Sequence, residues 1–78
     1  MSPTICTLDK LKPGESGEIV SFNDEENALK FMEMGCTPGE IVLMDSYAPL
    51  GDPLAIIVSG YKLSLRRSEA SSINISRI

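Results

Sequence analysis

Histidine and tryptophan are absent from this 78-residue sequence, and cysteine occurs only at Cys6 and Cys36. Without histidine, no Ser–His or Cys–His pair can activate a nucleophile. A ferrous ion also lacks the imidazole half of its preferred ligand set. Two cysteines thirty positions apart allow one disulfide at most, and no Cys-x-x-Cys pair is present to build a zinc ribbon. No phosphate-cradling or dinucleotide glycine motif occurs, and no zinc-hydrolase motif. The aromatic residues are Phe22, Phe31, Tyr47 and Tyr61, spread over four segments, which is thin material for a polyproline-binding groove. The longest clean apolar runs, Ile41–Met44 and Leu54–Val58, fall far short of the ~20 residues of a membrane span. The opening "MSPTICTLDK" lacks the charged start and apolar centre of a secretory leader. These absences point away from enzymes and from membrane insertion, and toward a cytoplasmic protein with reduced thiols.

What is present suits one small domain. A chain of this length buries only about 60–65% of its unfolded surface. An apolar share of 42% supplies an ordinary core, so the fold must rest on packing rather than on cross-links. The net charge of −4 is uneven. Residues 1–45 carry nine acids against three bases, and residues 46–78 carry two acids against four bases. A net-negative domain is poorly suited to nucleic acid, where cations supply most of the affinity.

Turn signals divide the chain closely. "KPGE" (Lys12–Glu15) and "TPGE" (Thr37–Glu40) place Pro before Gly, as type II turns require, so Gly39 is expected at positive φ. "SGY" (Ser59–Tyr61) marks a third reversal. Asn23 or Asp24 can cap a helix over about Glu25–Met34, with Ala28, Phe31 and Met32 on its buried face. Gly35 suits the left-handed residue that ends a helix, and Pro38 forbids continuation. Strands are expected at Gly17–Phe22, Ile41–Tyr47, Leu54–Ser59, Tyr61–Arg66 and Ile73–Arg77. Five short strands and one inserted helix predict a mainly β fold, a small strongly bent barrel whose closure would remove exposed edges.

Candidate metal donors are Cys6, Cys36, Asp24, Glu25, Glu26 and Asp52. Cys36, directly after the helix, also reads as a small buried hydrophobe, and Cys6 as an incidental thiol in a loose N-terminus. No cofactor is expected; weak carboxylate binding of a transition metal, or a site shared between subunits, stays open. Arg66 and Arg67 read either as a solvated strand end or as planar donors to a partner's carboxylate, with Glu69 close enough to pair with one of them.

Three stretches together resemble the FeoA family, small cytosolic accessory proteins of bacterial ferrous iron transport: "LDKLKPGESGEIV", "MEMGCTPGEIVLM" and "APLGDPLAIIVSGYKLSLRRSEASSI". The resemblance runs from about Leu8 to Ile75. Met34 and Cys36 stand where the family usually has leucine around the helix-ending glycine, and Lys30 where arginine is common. The resemblance implies an SH3-like β-barrel with an inserted helix. It also implies a non-enzymatic role through contact with the FeoB-type membrane iron permease on its cytosolic side. The alternative is a direct metal-binding carrier or sensor using cysteine and carboxylate ligands.

Strand alternation adds one inference. If Val42 and Met44 point inward, as the family pattern suggests, Ile41 and Leu43 point outward, and so do Ala55 and Ile57 on the next strand. A symmetric "APLGDP" hairpin sets Leu43 opposite Ile57. Either the helix covers this apolar face, or an irregular barrel buries both faces, or it is a partner or self-association surface. Tyr47 and Leu50 are expected to extend it, exposed, at the hairpin tip.

Overall fold

The computed structural model describes residues 5–78; Met1–Thr4, part of the stretch read for a leader, lie outside the described residues. Six strands form one antiparallel sheet: β1 (Ile5–Thr7), β2 (Ser16–Phe22), β3 (Ile41–Tyr47), β4 (Leu54–Val58), β5 (Tyr61–Leu65) and β6 (Ile73–Arg77). Their spatial order is β1-β6-β2-β3-β4-β5. Helix α1 (Glu25–Glu33) joins β2 to β3, and a single-turn helix α2 (Arg67–Ala70) joins β5 to β6. The fold is mainly β as expected, but the sheet is not closed, because β1 and β5 remain its edges. The sequence reading also missed β1. Cys6 is not loose: it lies in β1, opposite Ile75 of β6.

The two Pro-Gly turns build the centre of the sheet. Glu15 N–H closes the first turn on Lys12 C=O at 2.9 Å, and Glu40 N–H closes the second on Thr37 C=O at 3.0 Å. Gly14 and Gly39 have φ of +92° and +96°, the left-handed region that type II turns need at the third position. Each turn then clasps one residue of the strand that follows the other turn. Gly14 N–H donates to Met44 C=O and Met44 N–H to Glu15 C=O; Gly39 N–H donates to Ile19 C=O and Ile19 N–H to Glu40 C=O. This local two-fold fixes the β2–β3 register, with Gly17 opposite Val42.

Helix α1 starts where Asp24 Oδ1 accepts the Glu26 N–H at 3.0 Å. It ends in a Schellman motif: Gly35 N–H donates to Met32 C=O, Cys36 N–H donates to Phe31 C=O, and Gly35 has φ +100°. Cys36 and Phe31, joined by the second of these bonds, are both fully buried in the core. Phe31 is the one fully buried residue of the helix and stacks on Phe22 at 5.8 Å. Met32, expected on the buried face, is exposed, as is Leu29.

Inward residues of β2 to β6 share one core, among them Ile19, Val42, Met44, Leu54, Ile56, Leu65 and Ile75. Bulges interrupt β2 between Ile19 and Ser21 and β3 between Met44 and Ser46. An extra residue bends a strand and shifts the phase of its side chains.

Candidate partner-binding surface

The symmetric hairpin register holds: Leu43 lies directly opposite Ile57. Ser16 and Lys62 flank that pair on β2 and β5. Leu43, Ile57 and Ala55 are half-buried, and Ile41 is exposed. Helix α1 does not cover this face. Its anchor Phe31 sits in the core with Met44 and Ile56, on the opposite side of the sheet. Asp45, the bulge residue, pairs with Lys62 at 3.0 Å and closes the rim. The hydrogen bond and charge of Lys62 hold the Asp45 carboxyl below its usual range.

The same bulge overturns one expectation. Simple alternation from Leu43 would turn Tyr47 outward. The added residue shifts the phase, so Tyr47 pairs with Leu54, packs against the core, and is only half-exposed. Its hydroxyl donates to Leu11 C=O. Tyr47 therefore supports the loop rather than extending the apolar face.

The loop itself is tightly determined. Pro49 takes the second position of a turn closed by Gly51 N–H on Ala48 C=O at 2.7 Å. Ala48 N–H donates to Pro53 C=O, and Asp52–Pro53 is cis. Arg67 clamps the loop from α2. Its Nε and Nη2 donate to Gly51 C=O at 3.1 and 2.9 Å, and Nη1 reaches Asp9 C=O. Its guanidinium lies 5.1 Å from the centre of the Tyr47 ring, a cation–π arrangement. Asp52 Oδ1 accepts the Arg67 N–H at 2.9 Å. Leu50, at the tip, is 97% exposed. An apolar side chain is thus held out to solvent on a loop whose backbone is fixed from behind.

The two adjacent arginines have different fates. Arg67 is structural, while the Arg66 side chain is exposed beside an open groove of about 630 Å3, lined also by Lys30, Pro53 and Leu65. Glu69 bonds to neither guanidinium. It accepts the Arg66 backbone N–H at 2.9 Å and the Lys30 ammonium at 3.0 Å, which together lower its pKa. No sequence signal marked Arg67 as the loop clamp, because its partner Gly51 lies sixteen positions away.

The candidate metal donors are not brought together. Cys36 is buried and its thiol pKa is raised by desolvation. Cys6 accepts from Arg77 Nε at 3.5 Å on the β1–β6 edge. Asp24 caps α1 and Asp52 holds the hairpin. Among the described residues, no three of Cys, Asp or Glu converge as a ligand set.

Solved structures share this architecture. A FeoA-like protein from Clostridium acetobutylicum is 30% identical with a TM-score of 0.90, covering 100% of this chain and 91% of its own. FeoA of Stenotrophomonas maltophilia, solved with zinc and described as a prokaryotic SH3 domain protein, is 31% identical with a TM-score of 0.79, covering 90% and 88%. A manganese-dependent transcriptional repressor at 12% identity shares the fold alone, with a TM-score of 0.85 over 100% of this chain and 44% of its own. A comparison with curated proteins returned no match. The mainly β sheet with its inserted helix is thus of the SH3-like type. The sequence profile of the FeoA domain matches residues 6–77, and the chain belongs to the FeoA family.

Proposed function

We propose that this protein serves ferrous iron transport by contact, as a non-catalytic accessory that docks on the cytosolic side of a FeoB-type membrane permease. Family membership supports the transport role. For the Stenotrophomonas relative, a role as an activating factor of bacterial ferrous iron transport has been suggested. The observation that carries the contact reading is Leu50, 97% exposed on a loop that Arg67 holds in one shape. Pre-ordering a loop lowers the entropy lost on binding, and an apolar tip gains from desolvation. Leu43, Ile57, Ala55 and Ile41 continue the surface along the outer face of β3 and β4, with no charge among them. No helix of the described residues is long and apolar enough to cross a membrane, so the permease would be met from outside the bilayer.

Leu50→Glu tests the reading. The side chain touches little, so the melting temperature should stay within a degree or two of the parent. Binding to the purified permease, measured by calorimetry, should weaken about tenfold or more if Leu50 is an anchor. Leu43→Glu should weaken it further while placing a charge beside Ile57. Parental affinity in both folded variants would exclude this surface.

A further inference from the structure

The outer edge of β5 is built to accept a strand. Ser59 and Gly60, with φ of 52° and 80°, form a two-residue turn in which Val58 and Tyr61 exchange the first hydrogen bonds. Bonded and non-bonded pairs alternate from there. Lys62 opposite Ile57 and Ser64 opposite Ala55 are therefore non-bonded pairs, and their N–H and C=O groups point away from β4. Among the described residues, no strand lies on that side and no turn or loop backbone group bonds to them. Arg66, next along the edge, is already taken up by α2, where its C=O accepts from Glu69 and Ala70.

We propose that this edge pairs antiparallel with β5 of a second copy, about a two-fold axis through Leu63. Charge selects the register. Three antiparallel registers bring the outward backbone groups of Lys62 and Ser64 face to face with their counterparts. One opposes Lys62 to Lys62 and another opposes Lys62 to Arg66, and like charges directly opposite are unfavourable. The register centred on Leu63 opposes Lys62 to Ser64 and Arg66 to Gly60, so no like charges face each other. It makes both Lys62–Ser64 pairs hydrogen-bonded ones. On the other face Leu63 meets Leu63, and Tyr61, 71% exposed, comes opposite Leu65 of the second copy. The contact is isologous and uses up the β5 edge of both copies. It is tested apart from the permease reading, because sedimentation of the purified protein needs no permease.

The contact is one strand wide, so the dimer is weak and is to be sought by sedimentation equilibrium up to about 1 mM protein. Ser64 is exposed, and substitution there leaves the core alone. Ser64→Glu sets a carboxylate opposite Lys62 of the second copy and should tighten the dimer about two- to tenfold, whereas Ser64→Lys should weaken it by a similar factor. Amide exchange at Lys62 and Ser64 should slow as protein concentration rises. A parent that stays monomeric throughout this range overturns the proposal. So do equal dimer constants for both variants, or exchange at these two amides that is independent of concentration.

Discussion

Gly17 shows how much one residue can decide. It is buried between β3 and β6, and a Cβ built there would stand 2.6 Å from Ile75 Cδ1 and 3.2 Å from the Ser76 carbonyl oxygen. Ile75 is in the core and has little room to turn. Gly17→Ala should therefore cost about 1–3 kcal/mol, the usual penalty of overpacking, read from urea denaturation. Arg67 is decisive in another way. Its planar fork bonds Gly51 C=O twice, which a lysine cannot imitate. Arg67→Lys should leave the fold intact, lower stability by about 1–3 kcal/mol, and speed hydrogen exchange at the Gly51 amide. An unchanged exchange rate would mean that the loop holds its shape without the clamp.

Helix α1 is set at both ends by its own sequence, through the Asp24 cap and the Gly35 Schellman motif, and in its middle by Phe31. Nine residues are too few for a stable isolated helix, so tertiary packing must hold it. Phe31 is its only fully buried side chain. Phe31→Ala should cost about 3–5 kcal/mol and release the helix, seen as a large fall in melting temperature with loss of helical circular dichroism. These local signals were legible because caps, turns and alternation act over a few residues. The "KPGE" and "TPGE" turns and the Asp24 cap formed where the residues placed them. Strand β1 was not legible, since three residues carry no periodicity and are ordered only by pairing with β6. The Asp45 bulge was also hidden, and it turned Tyr47 from the outer face toward the core, against which it packs half-buried.

At the scale of the molecule, ion pairs tie distant elements: Lys30–Glu69 joins α1 to α2, Lys62–Asp45 joins β5 to β3, and Arg77–Glu15 joins β6 to the first turn. The folded-state pKa of Glu69 is lowered, chiefly by the Arg66 N–H and then by Lys30. A lowered carboxyl pKa contributes stability above the unfolded value, about 4.5 for Glu69, and that stability is lost as pH falls through the folded value. Asp45 acts with the same sign through Lys62. The melting temperature should thus decline on the acid side below about pH 4.5, and Glu69→Gln should be less stable at pH 7 yet show a shallower decline. An acid limb equally steep in the variant would remove Glu69 from that account.

The sequence by itself determined the turns, the helix and its caps, most strands, the alternation that puts Leu43 opposite Ile57, and the family likeness. All of these follow from short-range sterics and periodicity, which a linear chain already carries. Only the tertiary structure decided that the sheet stays open at β1 and β5, that Arg67 locks the hairpin while Arg66 stands free of it, and that α1 leaves the outer face of β3 and β4 uncovered. Each of these depends on contacts between segments far apart in the chain. Their cost in chain entropy is met by the shared core as a whole, so no single stretch of sequence records them.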